Sequence, residues 1–170
     1  MATFLIWNVQ KKPLEGLIVR LVQEHDVHIV ILIERPESDA TLLQALQTQV
    51  TQRFTRMPSH TRFGVYSRFP PNAFERLSPP VPNDRMDFWR LRPTTADTEV
   101  LLCAVHGPDK VNKADDWREL FFQRVAEQIK WAEGKIDHRR TFLVGDFNAN
   151  PFEAAVGSVR GLHAVRMSAV

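Results

Sequence analysis

An α/β fold is predicted for this 170-residue chain. Three observations carry the prediction. The first third alternates short apolar runs with helix-periodic stretches, the last third returns to helix and then strand, and the middle holds four strand-like runs punctuated by proline. A chain of this length buries one sizeable core, so a single domain over residues 1–170 is expected.

Taken in order, Thr3–Trp7 reads as a strand ending at Asn8. Pro13 suits a first helical position, and Leu14, Leu17, Ile18, Leu21 and Val22 then line one helix face. Ile29–Ile33 is a β-branched strand ending at Glu34. Ser38 or Asp39 can cap a second helix whose apolar stripe is Leu42, Leu43, Leu46 and Val50. Arg53–Met57, Phe63–Arg68, Ala73–Ser78 and Arg85–Leu91 are short strands, expected to form one antiparallel meander. Val100–Val105 is a further strand, ending at His106. Asn112 can cap a long helix with Asp115 and Asp116 in its first turn, where the helix dipole favours negative charge. Its stripe is Trp117, Phe121, Val125 and Ile129, and Gly134 is the expected terminator. Thr141–Val144 then leads through Gly145 to Asp146 and Asn148, and Asn150, Pro151 and Glu153 mark another helix start.

Composition excludes little. The 22 Lys and Arg nearly balance the 20 Asp and Glu, so charge alone does not diagnose a nucleic-acid binder. Cys103 is the only cysteine, which rules out an intrachain disulfide, and its apolar surroundings in sequence read it as a small buried hydrophobe. Phe4–Trp7 is too short for a signal peptide, Lys11 and Lys12 follow rather than precede it, and no run approaches a membrane span. A cytoplasmic setting with no membrane partner is expected.

The chemistry lies at the strand ends. Ligands of open α/β sheets gather outside the carboxyl ends of strands. Four such ends carry an amide (Asn8), a carboxylate (Glu34), an imidazole (His106) and a carboxylate–amide pair (Asp146 and Asn148), a set that suits a metal-dependent phosphoesterase. Any one of them alone is accounted for by the need to end a buried strand in something polar. Gly145 lets the backbone turn off the strand, while Asp146 and Asn148, two apart in an extended segment, share a side and Phe147 anchors the other. A hard cation takes one or two carboxylate oxygens and keeps several waters. Asp146 can also take a proton from water, and the Asn148 amide can donate to a phosphate oxygen without adding negative charge. Turn chemistry by itself also favours Asp and Asn here. His25, His28, His60, His138 and His163 show no metal-ligand spacing. Arg53, Arg56, Arg62, Arg68 and Arg76, and the Lys110–Lys113 loop, suit either a nucleic-acid backbone or solvated, edge-protecting charge.

Trp7-Asn8-Val9, Glu34 after an apolar strand, His106 after Val100–Val105, and Gly145-Asp146-Phe147-Asn148 resemble the endonuclease/exonuclease/phosphatase superfamily in order and separation along essentially the whole chain. The resemblance implies a four-layer α/β/β/α sandwich with two facing mixed sheets. It implies metal-dependent hydrolysis of a phosphodiester or phosphomonoester, with Mg2+ or Mn2+ as cofactor. Glu34 would be the main metal ligand and Asn8 would sit beside the metal and the scissile phosphate. His106 would bond the phosphate or leaving group, Asp146 would orient or deprotonate the attacking water, and Asn148 would hold the phosphate; apart from the resemblance, Lys110 is a candidate substrate contact because its loop follows His106. The arginines favour nucleic acid over inositol phosphates or lipids as the substrate. Superfamily members also carry a further Asp and a closing Ser-Asp-His segment, whereas His163 here follows Leu162. The expectation is therefore a sandwich lacking its final strands, open to self-association through an uncovered sheet. The competing reading is a non-catalytic remnant of the same fold serving as a binding or assembly module.

Overall fold

The computed structural model describes residues 2–36, 40–51, 53–92, 99–109, 115–150, 153–158 and 162. The caps expected at Ser38, Asp39 and Asn112, and the positions of Lys110, Lys113, Pro151 and His163, lie outside the described residues.

Two four-stranded mixed sheets form the centre. The first runs in the order β1 (Phe4–Asn8), β2 (Ile29–Ile33), β4 (Phe63–Ser67), β3 (Thr55–Met57). The second runs β5 (Phe74–Leu77), β6 (Met86–Leu91), β7 (Val100–His106), β8 (Thr141–Asp146). Each sheet has one parallel pair, β1 with β2 and β7 with β8, and the other neighbours are antiparallel. The parallel pairs are the ones bridged by helices, α1 (Glu15–Glu24) between β1 and β2 and α3 (Asp115–Ile136) between β7 and β8, as parallel strands require a crossover. α2 (Ala40–Gln49) follows β2, and α4 (Ala154–Gly157) is a single turn.

Side-chain alternation along the central strands builds the layers. Ile29, Ile31 and Ile33 point between the sheets, where they meet Trp89, Leu102 and Ala104. Val30 and Leu32 point the other way, onto Ile18 and Val22 of α1 and Leu42 and Leu46 of α2. On the second sheet Leu101, Cys103 and Val105 face Phe121, Phe122 and Val125 of α3. Three apolar cores separated by two sheets give the α/β/β/α sandwich. No described helix is long and apolar enough to cross a membrane.

The structure corrects four expectations. The middle strands do not form one meander. β3 and β4 complete the first sheet while β5 and β6 open the second, with the chain crossing between sheets around Pro70 and the short 3-10 turn Pro71–Ala73. Alternation and proline punctuation report strands and turns but not partners. Gly134 does not end α3, which runs on to Ile136 before Asp137 takes a left-handed φ of 56°. Pro13 precedes the helix start, where Leu14 is the capping residue of α1. Trp117, expected in the buried stripe of α3, is 38% exposed.

Candidate active site

Register and connectivity bring the carboxyl ends of β1, β2, β7 and β8 together. Asn8 lies beside Ile33 in the parallel pair of the first sheet, and His106 beside Asp146 in that of the second. Two side-chain contacts then join the sheets. Asn8 Nδ2 donates to Asp146 Oδ2 at 2.9 Å, and His106 Nε2 lies 3.2 Å from Glu34 Oε1. Asn8, Glu34, His106, Asp146 and Asn148 therefore occupy one place, built equally from both sheets.

Backbone geometry sets each group. Glu34 leaves β2 with φ 50°, and its carbonyl accepts the Lys11 N–H at 2.7 Å. Asn8 Oδ1 accepts the Gln10 N–H at 3.0 Å, closing a turn in which Gln10 and Lys11 also have positive φ. Gly145 has φ 147°, and a Cβ there would fall 1.9 Å from the Val105 carbonyl oxygen. A Cβ on Gly107 would fall 2.0 Å from the Phe147 carbonyl oxygen. Both positions thus require glycine for close backbone approach, and Gly107 N–H donates to the Asp146 carbonyl at 2.7 Å across that gap.

Asn148 does not lie in an extended segment. Its φ is 47°, and its backbone N–H donates to Asp146 Oδ1 at 3.0 Å, a turn that Asp and Asn form readily. Its Nδ2 donates to the Gly107 carbonyl at 3.1 Å. Both Asp146 carboxylate oxygens are consequently oriented, one by Asn8 and one by the Asn148 backbone. Phe147 anchors the loop by stacking on Phe122, ring centroids 6.4 Å apart.

His106 is 5% exposed. Burial pushes its pKa below the usual imidazole value; the Glu34 and Asp146 charges oppose that push, and those of Arg85 and Arg62 add to it. The ring is therefore held neutral near pH 7, and its buried Nδ1 has no hydrogen-bond partner among the described residues. The tautomer that suits Glu34 carries its proton on Nε2.

Three further residues complete the surroundings. Arg85 donates to the carbonyls of His106 and Gly107 at 3.3 and 3.1 Å. Arg118, buried on α3, donates to the Asn148 carbonyl at 3.1 Å and to Glu153. Glu153 Oε1 accepts the Asn150 N–H at 3.0 Å, the reach-back half of a capping box. Sequence reasoning missed Arg85, Gly107 and Arg118 because each acts on a backbone carbonyl or through close backbone approach, which no spacing pattern records. Lys110 lies outside the described residues.

The arginines of the middle region are largely matched by local carboxylates. Arg62 pairs with Asp84, Arg68 with Asp26, and Arg76 with the buried Asp87. Their reading as a nucleic-acid track loses weight accordingly.

The donor chemistry fits a hard cation. The Glu34 and Asp146 carboxylates and the second lone pair of Asn8 Oδ1 are oxygen donors at one end of the sandwich, the set from which magnesium takes one or two carboxylates and fills the rest with water. Among the described residues no group of three or more His, Cys, Asp and Glu side chains is placed to hold a metal ion, so the Asn8 oxygen and water would have to supply the remaining ligands.

Comparison with known proteins agrees with this architecture. The profile of the Endonuclease/Exonuclease/phosphatase family matches residues 5–161. No curated protein matches the chain. Similar solved structures include the endonuclease domain of TRAS1, a telomere-specific non-LTR retrotransposon, at 17% identity and TM-score 0.55, covering 88% of this chain and 61% of that one. An endonuclease/exonuclease/phosphatase family protein from Leptotrichia buccalis C-1013-b aligns at 14% identity and TM-score 0.60, covering 91% and 70%. Sphingomyelinase C from Streptomyces griseocarneus aligns at 14% identity and TM-score 0.58, covering 89% and 66%. The chain thus spans 61% of the length of the TRAS1 domain, and at such identities these likenesses concern the fold. On the family match, its extent and the two-sheet architecture, the chain belongs to the endonuclease/exonuclease/phosphatase family, a group of hydrolases.

Proposed function

We propose that this chain is a divalent-metal-dependent phosphoesterase, with a nucleic-acid phosphodiester as its substrate. The supporting observation is the pair of contacts, Asn8 to Asp146 and Glu34 to His106, that draws an amide, two carboxylates and a neutral imidazole from both sheets into one place.

Glu34, Asp146 and the Asn8 side-chain oxygen would hold Mg2+ or Mn2+. The ion supplies, when bound, the positive charge that phosphoryl transfer needs and that these residues lack. The rest of the work falls to the chain. Asp146 accepts the proton of the attacking water, its two oxygens held in place by Asn8 and the Asn148 backbone. Asn148 keeps one amide hydrogen after its bond to Gly107 and presents it to a phosphate oxygen. His106 is a neutral donor through Nε2, transferring its hydrogen bond from Glu34 to the phosphate or leaving oxygen. The Arg85 charge near His106 favours an anionic substrate at this end of the sandwich. The similarity to an endonuclease domain supports the nucleic-acid choice.

Hydrolysis of an oligonucleotide and of small phosphodiesters and monoesters, with and without magnesium, tests the reading. Asp146→Asn is expected to lower kcat by roughly 100-fold or more, and Glu34→Gln to raise the magnesium concentration needed for half-maximal rate. Hydrolysis indifferent to chelator, or a magnesium requirement unmoved by Glu34→Gln, would remove the assignment.

A further inference from the structure

Each sheet sets an arginine at the rim of the proposed site. Ile33 of β2 pairs with Phe63, and Val105 of β7 with Met86, as the last rungs of their antiparallel ladders. One step further, Arg62 comes into register with Glu34 and Arg85 with His106, and the His106 N–H donates to the Arg85 carbonyl at 2.9 Å. Asp84, beside Arg85, reaches back to the first sheet and accepts a hydrogen bond from Arg62 Nε at 2.6 Å. We propose that Arg62 is the contact for a second phosphate of the substrate, the one flanking the phosphate to be cleaved, and that Asp84 occupies Arg62 until that phosphate arrives. The inference rests on the phosphoesterase reading for the position of the cleaved phosphate.

The backbones that carry the pair are held in place. The Trp89 indole N–H donates to the Pro58 carbonyl at 2.8 Å, and the His60 N–H donates to Asp87 Oδ2, so the β3–β4 turn is fastened to the second sheet. Asn83 Oδ1 accepts the Arg85 N–H at 2.9 Å and fixes the turn before β6. The two side chains are freer, Arg62 being 35% exposed and Asp84 51%. An ion pair so exposed contributes little to stability and is easily exchanged. Arg62 engages Asp84 through Nε, and its Nη groups find no partner among the described residues. A phosphodiester can take two N–H groups of that fork where Asp84 takes one.

Charge marks the same place. Burial opposes ionisation of Asp84, yet the Arg62 hydrogen bond and the charges of Arg62, Arg85 and His60 hold its carboxyl below the usual value. The Arg85 and Arg62 charges also act on His106, adding to the effect of burial there. The position that Asp84 fills is thus an anion position within electrostatic range of the proposed site. Once one phosphate is seated beside His106, its neighbour in the same strand is delivered at high effective concentration. A substrate with a single phosphate has nothing to offer Arg62 and leaves the Asp84 pair closed.

Binding of a fluorescent single-stranded oligonucleotide to the chain, followed by anisotropy in chelator so that no hydrolysis intervenes, tests the inference. Arg62→Gln is expected to weaken binding roughly tenfold and to reduce the slope of log affinity against log salt by about 0.7. Asp84→Asn is expected to tighten binding roughly threefold, a gain that disappears when Arg62→Gln is also present. With magnesium, Arg62→Gln should narrow the KM advantage of the oligonucleotide over a dinucleotide carrying one phosphate by about tenfold. Unmoved binding in Arg62→Gln, a loss matched by a fallen melting temperature, or an equal KM change for both substrates would overturn the proposal. So would an equal gain from Asp84→Asn with and without Arg62, since Asp84 would then merely repel anions. The coupled binding shifts without magnesium-dependent hydrolysis would reject the phosphoesterase reading and leave the Arg62 contact standing. Hydrolysis with Arg62-independent binding would do the reverse.

Discussion

Gly107 and Gly145 hold the backbones of two strand exits so close that a single methyl group would strike a carbonyl oxygen. Gly145→Ala is expected to lose about 2–4 kcal/mol of stability, measured by urea unfolding, since it combines that clash with a left-handed φ. Arg118 is a second residue whose effect exceeds its visibility. It is buried, and its guanidinium ties the Asn148 carbonyl to Glu153. Arg118→Lys keeps the charge but not the planar fork, so kcat should fall while KM changes little; an unchanged kcat would show that the Asn148 loop needs no such tie. The five residues at the strand ends were legible because Asn8, Glu34 and His106 each terminate an apolar run and Asp146 and Asn148 follow one within four positions. Gly107, Arg85 and Arg118 were not, because their partners are carbonyl oxygens far away in the chain, 30 positions for Arg118 and more for Gly107.

Among elements, β7 is the most informative. Its two faces serve different cores, the alternation visible in Val100–Val105. Cys103 is fully buried against α3, and burial together with the Asp87 charge pushes its thiol well above the usual range. It should resist alkylation in the folded chain and react only on unfolding, which thiol labelling across a urea gradient would show. Just before β7, Glu99 accepts from Arg90 on β6 and contacts His138 ahead of β8. Burial raises its pKa, but the Arg90 hydrogen bond and the charges of Arg90, His138 and Arg92 outweigh this and hold it below 4.5. A carboxylate with a depressed folded-state pKa contributes stability above its unfolded value and loses it as pH falls through the folded one. Glu99→Gln should therefore cost about 1 kcal/mol near pH 7. The deficit should shrink below pH 4.5, a trend that denaturation at stepped pH would reveal. Helix and strand identities were readable from periodicity. The division of the middle strands between two sheets was not, because alternation is the same whichever neighbour a strand takes.

At the scale of the whole molecule, the sandwich is held by the layer between the sheets. Trp89 of β6 is fully buried there, and its indole N–H donates at 2.8 Å to the carbonyl of Pro58, just past β3. Trp89→Phe strands that carbonyl and leaves a void, so a loss of about 2–4 kcal/mol is expected by thermal or urea unfolding, with both sheets melting together. A composition that permitted a single domain was legible from the start; that an indole of the second sheet would bond a carbonyl beside the first was not, since Trp89 and Pro58 are joined only by the fold.

Among the described residues β1 and β8 are the outermost strands of their sheets, half-buried along most of their length, and the Phe4 and Phe142 rings meet between them. Asn8 and Asp146 close these two strands, so half of the proposed site hangs from edges while Glu34 and His106 hang from strands flanked on both sides. Fraying is then a chemical event as well as a mechanical one: each opening of an edge breaks the Asn8–Asp146 hydrogen bond while the core stays shut. Amide protons of β1 and β8 should exchange with deuterium ahead of those of β2 and β7, and on warming the turnover rate should decay several degrees before the bulk of the circular dichroism does.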